Sequence, residues 1–380
     1  MKKNWAFGLL ARKVGSMSLK RIALAFWEAL WPPLSALALT FLVGGGIIAA
    51  IGESPMEVFT LLFREGLSSF DGFARVLNDA TPLMLTGLSV AYAFRAGYFN
   101  IGGEGQLYMG AFAAMLVATA LPGAPRLLAI PLAILAAATG GAVWGAIPGF
   151  LRARFGVHEV INTIMMNFLA VGITGYLVVH HLKEQGQMIP HTPEIPEAYQ
   201  LEGFGRSGWG QALGLDSANP LGPSLILALV AVLVVWLIFR RSVEGYRLRV
   251  LGLSPQAARY SGISTGWLTV RAMAASGALA GLVGVHEVLL YRHRFLDNFS
   301  SGLGFLGIAV ALMGRNHPLG VMLAALLFGF LNTGALEIDI FTEVPRELVV
   351  VMQALVILFV VSASELASRR AARRRKEKAA

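Results

Sequence analysis

The chain has 380 residues, of which 56% are hydrophobic and only 14% are charged. A soluble domain carries about 25% charged residues and cannot hide so much apolar surface, so this composition excludes a soluble globule. Long apolar runs separated by short polar ones predict an all-α polytopic membrane protein. The absence of cysteine excludes disulfides, thiol nucleophiles and cysteine metal sites.

Ten apolar segments are candidates for transmembrane helices, each of which needs about 20 mainly apolar residues. In chain order they are 30–51, 80–98, 104–121, 127–150, 159–181, 221–239, 265–290, 301–314, 318–336 and 346–364. The segment 301–314 is too short to cross the bilayer alone as a regular helix. We therefore expect it to extend into its flanks, to tilt or to be broken.

The basic residues predict the orientation of these spans, because Lys and Arg concentrate on the cytoplasmic side. With the N-terminus inside and ten alternating spans, 22 Lys and Arg residues lie on the cytoplasmic side, 8 lie outside and Arg271 lies within a span. We predict basic cytoplasmic tails at 1–25 and 367–380 around a membrane domain at 26–366. The net charge of +9 is then a topology signal, and we expect no nucleic-acid partner.

Two blocks of the chain predict an internal symmetry. The blocks 80–182 and 265–364 each hold four spans and enter the membrane from opposite sides. Each opens with a span followed by a Gly-rich stretch, at 100–106 and at 300–304. Inverted repeats with interrupted helices indicate a transport pathway. Chance similarity in a Gly- and Ala-rich chain is the alternative.

The stretch RAGYFNIGGEGQLY at 95–108 is the first candidate site. Four glycines in nine residues disfavour a continuous helix, and backbone groups freed at membrane depth need protein or a watery cavity. We predict a substrate pathway here. Its candidate residues are Tyr98, Phe99, Asn100, Glu104, Gln106, Tyr108, Asn167 and Phe305. Alternatively, Asn100 and Glu104 cap the following helix.

The loop 240–264 is the second candidate site. Ser254 can cap a helix, Pro255 suits its first position, and Gly262 can end it. The pattern predicts a short cytoplasmic helix that docks onto a partner, with a solvated turn as the alternative. The candidate docking residues are Ser254, Pro255, Gln256, Ala257, Ala258, Arg259 and Tyr260.

Other polar residues in or next to predicted spans either line a pathway or form hydrogen bonds between helices. They are His158, Glu159, Asn162, Arg271, His286 and Glu287. For His158 and Glu159, which follow an inside loop, a position at the membrane interface is a third alternative. No phosphate loop or catalytic motif occurs in the sequence, so we expect no nucleotide hydrolysis by this chain, no enzyme activity of its own and no cofactor or metal.

Four blocks carry a resemblance to a known family: GLSVAYAFRAGYFNIGGEGQLYMGA (87–111), FGVHEVINTIMMNF (155–168), LRVLGLSPQAARYSGIS (248–264) and GLGFLGIAVALMGRNHPLG (302–320). The chain resembles the membrane permease subunits of bacterial ABC importers, in the branch of ribose and branched-chain amino acid permeases. Within that branch it is most similar to the permeases of general nucleoside uptake. The resemblance covers about residues 80–364.

The resemblance implies a ten-helix, multi-pass subunit of the bacterial inner membrane that forms the pathway for nucleosides. It also implies a second permease subunit, identical or sister, two ATPase subunits beneath and a substrate-binding lipoprotein outside. Pro255 to Tyr260 would dock in a groove of the ATPase. Alternatives are an importer of ribose-like sugars or another small polar solute, and an ion-coupled secondary transporter.

Overall fold

The structure, a computed structural model, describes residues 35, 37–345 and 347–377 as helices and connecting segments. Among these residues the nearest approach to a strand is one isolated bridge between His191 and Leu296. The predicted basic tail at 1–25 lies outside the described residues. The helices are α1 (Leu37–Ile51), α2 (Pro55–Leu67), α3 (Phe70–Arg95), α4 (Gly103–Ala120), α5 (Arg126–Phe155), α6 (Glu159–Leu177), α7 (Gly208–Ala212), α8 (Ser224–Arg241), α9 (Val243–Leu253), α10 (Pro255–Tyr260), α11 (Thr265–Gly281), α12 (Leu303–Met313), α13 (Pro318–Phe341) and α14 (Glu347–Glu377).

Each of the ten predicted segments overlaps one of these helices. The sequence analysis did not predict α2 or α9, and α9 occupies part of the segment expected to be a loop at 240–264. Helix α12 has only 11 residues, about 16 Å at 1.5 Å per residue, so it cannot cross a hydrocarbon core of about 30 Å. Helix α14 continues to Glu377, through most of the predicted C-terminal tail.

Two helices, α6 and α11, continue beyond their α-helical parts as wider π-helical turns. These turns span Val178–Leu182 and Val285–Tyr291. Single π-helical turns are often found at functional sites. Here the second one carries the polar pair His286 and Glu287 of the seventh predicted span.

The chain forms two compact units. One comprises the described residues of the ranges 1–56 and 344–380, and in it the side chain of Met352 in α14 lies 3.3 Å from where a Cβ on Gly44 of α1 would stand. The other, Glu57–Glu343, contains both candidate sites.

Several of the long apolar helices expose most of their apolar surface. Five described helices are long and apolar enough to cross a membrane: α5, α6 with its π-helical turn, α8, α11 with its π-helical turn, and α13. The most apolar of them, α8, has a mean hydropathy of 2.2 with 33% of its apolar window buried, whereas α11 has 1.6 with 72% buried. Water would drive the most apolar helices inward, so this outward-facing apolar surface requires lipid.

Helix α3 runs through the interior of the larger unit, and every residue from 80 to 93 is buried. It packs against α8, α11, α12 and α13, while α11 packs against α4 and α5. The contact between α5 and α11 is a glycine seam: a Cβ on Gly141 would overlap the carbonyl oxygen of Gly277, and one on Gly281 would overlap that of Ala137. Only residues without bulk allow two backbones to approach this closely.

Candidate functional site

The break between α3 and α4 is built around Asn100. Arg95 ends α3, and the chain turns through Gly97, whose φ of +82° favours glycine. The buried amide of Asn100 then accepts a hydrogen bond from the Gly102 N–H at 3.0 Å and donates to the Ser276 hydroxyl at 2.8 Å. It also pairs with the amide of Gln106, donating at 2.9 Å and accepting at 3.2 Å. The side-chain amide of Asn100 therefore satisfies its donors and its acceptor within the protein.

Asn167 of α6 holds the same break from the other side. Its Oδ1 accepts a hydrogen bond from the Gly105 N–H at 2.8 Å, and its Nδ2 donates to the Ile101 carbonyl at 3.0 Å. A Cβ on Gly105 would stand only 3.0 Å from the Cα of Asn167, so the two segments are in backbone contact. One side chain thereby joins the loop to the first turn of α4.

Glu104 lies where the first turns of α4 and α12 meet. Its Oε2 accepts a hydrogen bond from the Gly304 N–H at 2.7 Å, and a Cβ on Gly304 would overlap the backbone of Glu104. Because Glu104 also belongs to the first turn of α4, its carboxyl group faces two helix N-termini, whose dipoles both favour a negative group. The expectation that Glu104 caps the following helix is thus modified: its hydrogen bond is to α12.

The candidate aromatic residues differ in exposure. The Tyr108 hydroxyl accepts a hydrogen bond from the Ser300 N–H at 3.2 Å, and the Tyr98 hydroxyl bonds the Thr269 hydroxyl at 2.7 Å. Phe99 packs edge-on against Phe94, with ring centroids 4.9 Å apart. Of the eight predicted pathway residues, five are buried (Asn100, Glu104, Gln106, Tyr108 and Asn167), Tyr98 and Phe99 are half-buried, and Phe305 is 48% exposed.

The sequence analysis missed the serine and threonine partners of this network. Ser276 donates to the carbonyl of Ser89 at 2.7 Å, and the two serine hydroxyls lie 3.0 Å apart. Thr269 donates to the Thr265 carbonyl at 2.8 Å. A hydroxyl inside a Gly- and Ala-rich span, as in AASGALAG, is the signal that could have identified Ser276.

The second candidate site is a helix as predicted, Pro255–Tyr260. The Ser254 hydroxyl accepts the Ala257 N–H at 3.2 Å, and Gly262 follows with a φ of +75°. Ala258 is fully buried against the rest of the chain, so the predicted Ala-Ala face does not present both residues outward. The exposed members are Pro255, Gln256, Ala257, Arg259 and Tyr260, and Tyr260 is 94% exposed.

The remaining polar candidates are mostly paired within the chain. The His286 Nδ1 lies 2.9 Å from the Ser224 hydroxyl, and Glu287 forms an ion pair with Arg292 at 3.1 Å. Arg271 pairs with Glu244 at 3.2 Å, and Glu159 pairs with Arg152 at 3.4 Å. His158 is exposed ahead of α6, and Asn162 is half-buried.

An apolar exterior around interrupted helices that meet in the interior defines a polytopic membrane protein of the transport class. The family model described as "Branched-chain amino acid transport system / permease component" matches residues 72–361. The chain therefore belongs to this family of membrane permeases.

Three relatives cover nearly the whole chain. The guanosine ABC transporter permease protein NupP of Bacillus subtilis is 40% identical over 87% of this chain and 92% of its own. The nucleoside ABC transporter permease protein NupB of Lactococcus lactis is 36% identical over 86% and 89%. The glucose ABC transporter permease protein TsgB13 of Haloferax volcanii is 33% identical over 88% of each.

Proposed function

We propose that this chain is the membrane-spanning permease subunit of an ATP-driven ABC importer and forms the pathway for nucleosides. The main support is the similarity to a guanosine permease and a nucleoside permease, which are 40% and 36% identical over most of this chain and of their own. The chain is a transport subunit, and ATP hydrolysis is assigned to a separate ATPase. A second permease subunit and an extracytoplasmic binding lipoprotein complete the importer in the bacterial inner membrane.

The membrane domain consists of two inverted four-helix repeats, α3–α6 and α11–α14, with both chain ends in the cytoplasm. The packing supports this: α3 contacts α12 and α13 of the other repeat, and α11 makes the equivalent contacts with α4 and α5. Both repeats also interrupt their chain before the second helix, at Gly103 and at Leu303. A twofold relation between the repeats would produce this exchange of contacts.

Within the site, the buried residues around Asn100 and Glu104 hold two interrupted helices in place, and the pathway runs past the exposed Phe305. The Gly304 N–H donates a hydrogen bond to Glu104, and Phe305 is the next residue in the chain. A conformational change where α4 meets α12 would therefore move the exposed ring of Phe305 against the cargo. An aromatic face suits a nucleobase, since every base can stack. Phe305→Ala should lower uptake while the amount of assembled complex is unchanged.

Helix α10 is the element that docks on the ATPase. Two observations support this role: the helix is short and capped, and the side chains of Gln256, Ala257 and Tyr260 are exposed on its surface. Ala257→Trp adds bulk on that exposed surface and should reduce copurification of the ATPase. Arg154→Gln, at an exposed position in the last turn of α5, is the control.

The whole proposal is tested by uptake of labelled guanosine into cells that express the chain with its neighbouring ATPase and binding protein. Uptake should require the phosphate-loop lysine of the ATPase and should be reduced by excess unlabelled uridine or adenosine. Uptake that survives loss of that lysine and collapses with a protonophore would instead indicate an ion-coupled carrier.

A sugar is the second candidate cargo, because a glucose permease is 33% identical over 88% of this chain. Excess unlabelled glucose or ribose, added to the guanosine uptake assay, distinguishes a sugar cargo from a nucleoside cargo. Displacement by the sugar and none by nucleosides would assign the pathway to sugars.

A further inference from the structure

A cavity of about 360 Å³ opens between α9, the segment 261–264 and the first turns of α11. Its lining combines two arginines, Arg247 and Arg271, with two aromatic side chains, Tyr246 and Trp267. None of these four residues belongs to the network around Asn100 or to the docking helix α10. The cavity is therefore distinct from the network around Asn100, and it adjoins α10 through the segment 261–264 without including residues of that helix.

The cavity is electropositive. Arg271 is partly neutralised by Glu244, whose Oε1 lies 3.2 Å from its Nη2. Arg247 is exposed and has no ion-pair partner among residues 37–345 and 347–377. The N-terminus of α11 adds its positive dipole end from Ser264 onward. One uncompensated guanidinium, a second with spare donors and a helix N-terminus together favour an anion with several oxygen atoms, such as a phosphate.

The cavity also lies at the ends of two membrane-crossing helices. Helix α8 ends at Arg241, two residues before Val243 of the lining, and α11 begins at Thr265, two residues before Trp267. Tyr246 and Trp267 are 61% and 63% exposed. Exposed Trp and Tyr beside basic residues at the end of a span are typical of the lipid headgroup level.

We propose that this cavity binds the phosphate of an anionic phospholipid headgroup, with Arg247 as its main contact and Arg271 as the second. Trp267 and Tyr246 then lie beside the glycerol and upper acyl region. A free phosphate ion offers the same oxygen atoms, but it would make no use of the exposed aromatic side chains. The position at a membrane-helix boundary favours the lipid.

The test uses the assembled importer purified in a neutral detergent. The complex is titrated with phosphatidylglycerol, phosphatidylcholine or inorganic phosphate, and retained lipid is measured by native mass spectrometry together with the unfolding temperature. Phosphatidylglycerol should be retained and should raise the unfolding temperature, while phosphatidylcholine and inorganic phosphate should not. Arg247→Gln should weaken the apparent affinity about fivefold, as expected for one cation facing an anionic headgroup.

Arg247→Lys keeps the charge and should retain most of the affinity, whereas Arg154→Gln, the matched loss of an exposed arginine, should leave it unchanged. Arg271→Gln should also weaken lipid retention. Glu244→Gln breaks the same ion pair but keeps the Arg271 cation, so it should not weaken retention. Equal retention by wild type and Arg247→Gln would overturn the site. Equal protection by inorganic phosphate would overturn the assignment to lipid.

Discussion

Asn100 illustrates what a single residue does in this membrane interior. Its amide uses both donor hydrogens and its acceptor oxygen within the chain, on Gln106, Ser276 and Gly102. A polar group left without partners at this depth would cost several kcal/mol, so a satisfied network is the condition for breaking a helix there. The glycine content at 97–105 predicted the break, but Ser276 on α11 lies 176 residues from Asn100 in the sequence, and their contact depends on tertiary packing.

Glu104 gives the prediction at this scale. Glu104→Ala leaves the Gly304 N–H without its acceptor, and we expect a loss of about 1–3 kcal/mol in the free energy of unfolding. Glu104→Gln keeps an acceptor oxygen but removes the charge between two helix N-termini. The free energy of unfolding should therefore fall by about 0.3–1 kcal/mol per terminus. Thermal unfolding of the purified complex measures both.

Uptake by the same Glu104 variants separates stability from transport. If Glu104→Gln assembles normally and has lost uptake, the carboxylate acts on the cargo or its pathway. An alanine variant as stable as wild type would show that the bond to α12 contributes nothing.

At the scale of elements, the sequence predicted the apolar helices well, because length and hydropathy decide where a chain can cross lipid. It did not predict α9, whose sequence VEGYRLRVLGL mixes charged and apolar residues and is too short for a span. Nor could it predict that Ala258 faces inward, because a six-residue helix has too little periodicity to show its buried side.

The glycine seam between α5 and α11 gives a prediction for these elements. Gly141→Ala places a methyl group on the carbonyl of Gly277, and we expect destabilisation of about 1–3 kcal/mol from overpacking. Gly172→Ala is the control, since a Cβ there meets nothing within 4 Å and alanine favours a helix by about 0.5–1 kcal/mol. The yield of monodisperse protein and its unfolding temperature should fall only for the first variant.

The segment after α11 carries a pH-sensitive group. Burial lowers the pKa of His293, and the positive charges of Arg206 and Arg294 act in the same direction, against the hydrogen bond to the Leu289 carbonyl and the charge of Glu194. A lowered pKa in the folded state means that the neutral imidazole stabilises the fold above the unfolded value of about 6.5. This contribution is lost as the pH falls through the folded pKa.

We therefore expect the segments joined at His293 to open more readily in mild acid. The Ile195 N–H donates to the His293 carbonyl at 2.8 Å, so hydrogen exchange at Ile195 reports this contact. Its protection, corrected for intrinsic rates, should begin to fall as the pH drops below the unfolded pKa of about 6.5 and should fall further through the lower, folded pKa. His293→Asn, which tolerates the observed φ of 54°, should abolish the pH dependence, and His158→Asn should not alter it.

At the scale of the whole molecule, the composition predicted a membrane protein, and the exposed apolar surface of α5, α6 and α8 gives the physical reason. The reciprocal contacts of the proposed repeats are harder to predict from sequence, because their Gly-rich breaks share little beyond glycine. Helix α12 is also shorter than its counterpart α4, with 11 residues against 18. Because their helices differ in length, the two proposed repeats share only a faint similarity in sequence.

Inverted repeats make a definite prediction for labelling, which is clean because the chain has no cysteine. In the proposed repeats the α4–α5 connection and the α12–α13 connection are equivalent, so the proposal places them on opposite sides of the membrane. Gly123→Cys and His317→Cys place a thiol at an exposed position in each. On intact cells, a membrane-impermeant maleimide should react with the first and should reach the second only after permeabilisation.

Two further positions calibrate that experiment. Met188 is 95% exposed in the predicted outside loop and should react on intact cells as Met188→Cys, while Gln256→Cys on α10 should stay protected until the membrane is opened. Leu215 is 5% exposed and would be a poor reporter although it lies in the same outside loop. Labelling of Gly123→Cys and His317→Cys from the same side would exclude inverted repeats, and outside labelling of Gln256→Cys would remove α10 from the face that meets the ATPase.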